Sequence, residues 1–110
     1  MCPTEVPREK VADYLLSPTH PRGRDKEAFF VLFGFRLEAW EELAAALREH
    51  AGRYEVASST RTRYGTRYAV EGPLRTPSGR MPWVRSAWFI DEGATIPRLV
   101  SAYPLAGGEP

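Results

Sequence analysis

The chain has 110 residues, of which 43% are hydrophobic and 26% are charged, and its formal net charge is +1. This size and composition predict one globular domain with a modest core. No apolar run approaches the roughly 20 residues that cross a bilayer, the start lacks a signal-peptide pattern, and the single cysteine, Cys2, cannot form an internal disulfide. We therefore expect a cytoplasmic protein that makes no membrane contact.

Two helices are predicted near the start of the chain. The run REKVADYLL predicts the first, with Val11, Tyr14 and Leu15 on one face. A second helix is expected in KEAFFVLF, where Asp25 would cap the start and Gly34 would end it.

The clearest helical pattern is LEAWEELAAALREHAG. Its apolar residues recur three and four positions apart, and Gly52 is expected to end the helix. Arg36, just before it, is a poor cap. We interpret His50 as a favourable charge near the helix C-terminus. The large aromatic residues Trp40 and Trp88 are expected in the core.

Strand-like segments follow the third helix. Turn signals separate them, and short links between sequential strands favour an antiparallel meander. Helices followed by strands predict an α+β domain at 8–104, with about three N-terminal helices packed on one face of a four-stranded antiparallel meander. Residues 105–110 are expected to form a disordered tail. The predicted strands are residues 54–64, 66–74, 81–91 and 97–104.

Alternation along the strands assigns side chains to the two faces of the sheet. The face that covers the helices is expected to carry Val84, Ser86, Trp88 and Ile90. The open face is expected to carry Arg67, Arg85, Leu99, Ser101 and Tyr103. A bulge, or a register shift of one residue, would change any of these assignments.

The segment SPTHPRGRDKEAFF contains the main candidate for chemistry. His20 lies between two prolines, which hold its imidazole on a loop. Arg22, Arg24 and Lys26 follow at every second position. An imidazole that titrates near neutrality, beside fixed positive charge, suits proton transfer next to a phosphate. The competing interpretations are that His20 is a solvated loop residue and that Lys26 is only a surface charge.

Four pieces of sequence carry a resemblance to a known family. They are LLSPTHPRGRDKEAFF, FGFRLEAW, YGTRYAVEGPL and the closing VRSAWFIDEG with PRLVSAYP. Together they resemble a bacterial domain of unknown function that is found alone and within larger predicted toxins and phage-related proteins. The resemblance covers about residues 8–104. It brings no established activity with it.

A second resemblance concerns the order of helices and strands. N-terminal helices on a four-stranded meander resemble the metal-independent ribonucleases that include RelE, EndoU and the colicin-type toxins. That resemblance implies cleavage of RNA by attack of the ribose 2′-hydroxyl on the adjacent phosphate. The catalytic residues of these enzymes differ between members, so only the type of chemistry carries over.

This chemistry can be assigned to residues of the chain. His20 would act as base or acid, while Lys26 and Arg85 would stabilise the charge of the phosphorane. Ser101 and Tyr103 would supply hydroxyl hydrogen bonds. The expected substrate-binding residues are Arg67 and Arg98. The hypothesis requires that His20, Lys26 and Arg85 meet at one anion-sized gap, and an ion pair of Arg85 with Glu71 or Asp91 would argue against it.

Two other functions compete with the ribonuclease. One is a non-catalytic interaction domain that uses the arginine-bearing face to bind an acidic antitoxin-like protein or a nucleic acid. The other is a structural dimer that pairs along an exposed strand edge. The net charge of +1 gives no global basic signature, although residues 51–110 carry eight arginines against five acidic residues. A partner such as RNA would therefore need the cations to cluster on one face.

No cofactor is expected. The chain has no glycine-rich loop after a strand that would cradle a phosphate group. Its two histidines and one cysteine do not have the spacing of zinc ligands.

Overall fold

A computed structural model describes residues 3–20 and 24–105, which form three helical segments followed by a four-stranded sheet. Helix α1 (Arg8–Lys10) continues as a π-helical turn (Val11–Leu15), α2 spans Arg24–Leu32, and a 3₁₀ turn (Leu37–Ala39) leads into α3 (Trp40–Arg53). The strands are β1 (Val56–Thr62), β2 (Gly65–Pro73), β3 (Trp83–Asp91) and β4 (Arg98–Pro104).

The strands pair in chain order, β1-β2-β3-β4, and all three pairings are antiparallel. Helix α3 packs on β2 and β3, whereas α1 and α2 lie nearest β4. The predicted α+β fold, with N-terminal helices and an antiparallel meander, is confirmed. Short links between consecutive strands favour this topology because each turn returns the chain beside the strand it has just left.

The core lies between the helices and one face of the sheet. Val84, Ser86 and Trp88 of β3 are buried there, as the alternation predicted, and Ile90 is half-buried. Val84 and Trp88 belong to one core cluster with apolar residues of the helices, including Leu43. Each large apolar side chain buried in this way contributes about 1.5–3 kcal/mol.

A bulge in β4 changes one predicted face. Ala87 pairs with Ser101 and Trp88 pairs with Leu99, so Val100 is an extra residue between the two pairs. Leu99 is therefore fully buried on the core side, and its predicted place on the open face is wrong. Ser101 is the register partner of Ala87, which alternates with the core residues Ser86 and Trp88, so Ser101 keeps its predicted place on the open face.

Two predictions about helix ends are wrong by a residue or two. Asp25 is not the cap of α2 but lies within its first turn. Its negative charge there interacts favourably with the positive end of the helix dipole. Gly52 lies inside α3, which ends at Arg53. The prediction that Arg36 is a poor cap is confirmed: it precedes the 3₁₀ turn, its carbonyl accepts from the amide of Ala39 at 3.1 Å, and its side chain makes no capping hydrogen bond.

The prediction that His50 is a favourable charge at the end of a helix is wrong. His50 is a buried polar residue between α3 and the sheet. Its Nε2 donates to the carbonyl of Gly72 at 3.0 Å, and its Nδ1 accepts from Ser86 Oγ at 2.9 Å. Trp88 Nε1 in turn donates to Ser86 Oγ at 2.8 Å. Burial lowers the pKa of His50, and the hydrogen bond to Gly72 only partly offsets this.

Some predictions fall outside the described residues, namely those about Cys2, Arg22 and residues 106–110 of the tail. Leu105, the first residue of that predicted tail, donates to the carbonyl of Trp83 at 3.0 Å. Among the residues that the structure describes, no helix has the length and apolar character needed to span a bilayer.

Candidate functional site

An open cleft lies between α1 with its π-helical turn and the last strand of the sheet. Its volume is about 740 Å³, within the range of ligand-binding sites. Its lining residues come from both halves of the chain: Glu9, Lys10, Asp13, Tyr14, His20, Lys26, Arg67, Val100, Ser101 and Tyr103. The cleft is therefore rich in titratable and hydroxyl-bearing side chains.

The π-helical turn places Tyr14 at this cleft. The amide of Leu16 donates to the carbonyl of Val11, five residues back, at 2.8 Å. The wider turn buries both Leu15 and Leu16 completely. Tyr14, which precedes them, stays half-buried and reaches the cleft.

Tyr14 lies among hydrogen-bond donors and positive charges. Its Oη is 3.3 Å from Ser101 Oγ, and its ring centroid is 5.5 Å from Lys10 Nζ and 5.6 Å from Lys26 Nζ. Partial burial raises the pKa of Tyr14, but hydrogen bonds to Ser101 and Lys26, with the charges of both lysines, outweigh it and lower that pKa below its ordinary value. The surroundings of the phenol thus favour its ionised form more than water does.

His20 reaches the same place from the loop. Its ring packs edge-on against Tyr14, with the ring centroids 4.9 Å apart. Ser17 Oγ accepts from the backbone amides of Thr19 and His20 at 3.4 and 3.2 Å, so a serine turn shapes the loop. The cleft thus brings an imidazole and a phenol together.

Five of the seven predicted site residues line this cleft: His20, Lys26, Arg67, Ser101 and Tyr103. The carboxylates of Glu9 and Asp13 line it too, so its charge is mixed. Among residues 3–20 and 24–105, no group of three or more histidine, cysteine and acidic side chains is arranged to hold a metal ion.

Arg85 does not line the cleft. Its guanidinium forms an ion pair with Glu71 through both Nε, at 2.8 Å, and Nη2, and its Nη1 lies 3.4 Å from Tyr103 Oη. The prediction that Arg85 meets His20 and Lys26 at one gap is therefore wrong, and the competing cross-strand pair is present. The two residues are register partners on β2 and β3, which explains the pairing.

Arg98 also lies away from the cleft. It makes two hydrogen bonds to Asp91, at 2.8 and 3.1 Å, and its guanidinium carbon is 5.3 Å from the ring centroid of Phe89. Among the side chains that the structure describes, Arg67 is the arginine that lines the cleft, and it lies on the open face of the sheet.

The family model of a domain of unknown function (DUF6883) matches residues 3–106, nearly the whole chain. The chain belongs to this family. The predicted resemblance to a family of unknown function is thereby confirmed.

A solved structure shares the fold of this DUF6883 domain. The matching chain is from a contact-dependent growth inhibition toxin–immunity protein complex of Klebsiella pneumoniae 342. The TM-score is 0.73 at 18% sequence identity, and the match covers 93% of this chain and 100% of the other. No curated protein matches the sequence.

Five cleft residues of the DUF6883 domain were not predicted as site residues: Glu9, Lys10, Asp13, Tyr14 and Val100. Tyr14 was assigned only to a helix face, and Lys10 was not considered. Their spacing of four residues would place them side by side on a helix, which is a signal that the sequence contained. The contact of Tyr14 with Ser101 had no such signal because 87 residues separate the two.

Proposed function

We propose that this domain is a ribonuclease-like toxin domain that cleaves RNA by attack of a ribose 2′-hydroxyl on the adjacent phosphate. The observation that carries the proposal is the cleft itself. It combines His20 and Tyr14, which can transfer protons, with the cations Lys10, Lys26 and Arg67. This reaction needs proton transfer and charge stabilisation at one phosphate.

His20 and Tyr14 are the proposed pair for proton transfer. One removes the proton of the 2′-hydroxyl, so that its oxygen forms a bond to phosphorus, and the other gives a proton to the departing 5′-oxygen. The ring contact between them at 4.9 Å and the lowered pKa of Tyr14 support this assignment. Such proton transfer is worth about 10²–10⁴-fold in rate.

Lys26 and Arg67 are the proposed groups that stabilise the extra charge of the phosphorane, with hydrogen bonds from Ser101 and Tyr103. Arg67 replaces Arg85 in this role, because the ion pair with Glu71 holds Arg85 outside the cleft and rules out the form of the hypothesis that needs Arg85 there. Arg85 acts instead through Tyr103, whose hydroxyl it approaches at 3.4 Å. Arg98, paired with Asp91, has no role in this form of the proposal.

The fold of the solved neighbour also supports a domain of a toxin–immunity pair. That structure is a complex of a contact-dependent growth inhibition toxin with its immunity protein, and one of its chains matches this one along 93% of the length. Likeness of fold at 18% identity is a weak argument for activity. The chemistry of the cleft is therefore the stronger support.

The test is incubation of the purified domain with end-labelled RNA in the presence of a metal chelator. We expect products with cyclic phosphate ends, no cut where the 2′-hydroxyl is replaced by hydrogen, and a loss of about 10²-fold or more in His20→Ala. Arg48→Ala is the control, since Arg48 is exposed on α3 and lines no part of the cleft. Intact RNA after prolonged incubation across a range of pH would contradict the proposal.

A second candidate is a non-catalytic domain that binds an acidic, immunity-like or antitoxin-like protein. It is favoured by the solved structure of the same fold, which is a complex of a growth inhibition toxin with its immunity protein. Under this alternative, His20→Ala would leave binding intact, whereas Arg67→Ala would weaken it. The two variants separate catalysis from binding.

A further inference from the structure

A second, smaller cavity adjoins the cleft on the open face of the sheet. Its volume is about 250 Å³, and it extends from β1 to β4. Arg67 and Tyr103 line both this cavity and the cleft, so the cavity and the cleft lie side by side. We name this cavity the sheet-face subsite and define it by Ser58, Thr60, Arg67, Arg85 and Tyr103.

The walls of the sheet-face subsite carry hydrogen-bond donors. Ser58 and Thr60 contribute hydroxyls from the exposed strand β1, and Arg67 contributes a guanidinium group. The guanidinium of Arg85 also lines the subsite, but Glu71 pairs with it. Ser58 and Thr60 are register partners of Ala69 and Arg67, which places them on the open face. No acidic side chain lines the subsite among the described residues. This chemistry suits a polar, anionic ligand.

Tyr103 is held at the boundary between the cleft and the subsite. Arg85 Nη1 lies 3.4 Å from its hydroxyl, and the Arg85 guanidinium carbon lies 5.9 Å from its ring centroid. Glu71 in turn holds Arg85 through Nε at 2.8 Å. Glu71 therefore holds Arg85, and Arg85 holds the ring of Tyr103. Tyr103 lines the same two cavities as Arg67, whose guanidinium can bind a phosphate group.

We propose that the sheet-face subsite binds the nucleotide next to the one that occupies the cleft, on a single strand of RNA. Tyr103 stacks on a base, Arg67 binds the phosphate between the two nucleotides, and Ser58 and Thr60 donate to the second nucleotide. Stacking on an aromatic side chain requires unpaired bases, which is why the ligand is single-stranded. The inference rests on the proposed function and names its substrate class.

The test measures binding of a fluorescent, uncleavable 2′-O-methyl hexanucleotide and of a single nucleoside monophosphate. The double variant Ser58→Ala/Thr60→Ala removes two neutral hydrogen-bond donors. We expect it to raise the Kd for the hexanucleotide about tenfold and to leave the Kd for the monophosphate unchanged. Ser59→Ala is the matched control, since Ser59 is exposed on the same strand but pairs with Tyr68 on the other face.

A second variant tests the stacking. Tyr103→Leu keeps an apolar side chain but removes the ring, and we expect it to raise the hexanucleotide Kd about tenfold. Circular dichroism confirms that each variant is folded.

The outcomes separate this inference from the proposed function. If Lys26→Met weakens hexanucleotide binding while the double variant does not, the subsite is wrong and the cleft stands. If the wild type binds neither probe, both proposals are wrong. Equal binding of an RNA duplex, or equal competition by polyglutamate, would overturn the single-stranded RNA assignment in favour of a duplex or an acidic protein.

Discussion

Tyr14 Oη lies 3.3 Å from Ser101 Oγ and so connects the first helical segment to the last strand across the cleft. The contact places the phenol between Lys10 and Lys26 and against the ring of His20. The groups that we propose for proton transfer thus come from the N-terminal third of the chain. The sheet supplies the hydroxyls and Arg67.

The pKa of Tyr14 should respond to Lys26. Lys26→Met removes a hydrogen bond and a positive charge that favour the phenolate, so we expect the pKa of Tyr14 to rise. The measurement is a titration of tyrosinate absorbance, with Tyr14→Phe identifying the contribution of Tyr14. Arg48→Ala should leave that titration unchanged, and an unchanged titration in Lys26→Met would contradict the proposed electrostatics.

The free energy of unfolding should fall in mild acid because of His50. Its pKa is lowered in the folded state, so below about pH 6.5 the unfolded chain binds a proton that the folded chain does not. Above that pH, His50 is neutral in both states and adds no pH dependence. The free energy of unfolding, determined by urea denaturation at several pH values between about 7 and about 5, measures this effect.

The control for this prediction is a pair of histidine variants. His50→Gln should lose the His50 part of the pH dependence and be less stable by about 1–3 kcal/mol, since Ser86 and Gly72 lose a buried partner. His20→Ala leaves that network intact and should keep the pH dependence. Equal pH profiles for wild type and His50→Gln would argue against a lowered pKa.

A core leucine and an exposed leucine should differ strongly when truncated. Leu43 is fully buried, and Leu43→Ala should lower the free energy of unfolding by about 2–5 kcal/mol through lost burial and a cavity. Leu32 is 76% exposed, so Leu32→Ala should cost less than about 0.5 kcal/mol. Chemical denaturation of both variants compares them, and similar losses would mean that the core is not where the structure has it.

The Arg85–Glu71 ion pair should stabilise the fold only slightly. The two side chains are 37% and 26% exposed, and solvent screens such pairs. A double-mutant cycle with Arg85→Ala and Glu71→Ala should give a coupling free energy of about 0.2–1 kcal/mol. The same cycle for Arg98 and Asp91 is the comparison, and a coupling above about 2 kcal/mol would show that the pair is more shielded from water than its exposure indicates.

Binding of single-stranded RNA should depend on salt in proportion to the cations that contact phosphate. Lys10, Lys26 and Arg67 line the cleft, and three contacts correspond to a slope of log K against log salt of about −2. Lys26→Met should reduce the magnitude of that slope by about 0.7. Titrations at several salt concentrations measure it, and a slope near zero would exclude phosphate contacts in the cleft.

Much of the candidate site was predictable from the residue types on the loop and the strands. His20, Lys26, Arg67, Ser101 and Tyr103 were predicted and line one cleft. For Arg85 the sequence left two alternatives, a place in the site and an ion pair with Glu71 or Asp91, and the pair with Glu71 is present because the two residues are register partners on β2 and β3. Tyr14 was missed as a site residue because its partner Ser101 lies far away in sequence.

The order of the elements and the buried face of β3 follow from short-range patterns: helical spacing before Arg53, alternation after it, and turn residues between strands. These patterns act over a few residues, so the amino-acid sequence determines them locally. Pairing partners, the bulge at Val100 and the contact of Tyr14 with Ser101 depend on how distant segments dock. Tertiary packing alone decides them, because a shift of one residue in register would leave every local pattern intact and rearrange the cleft.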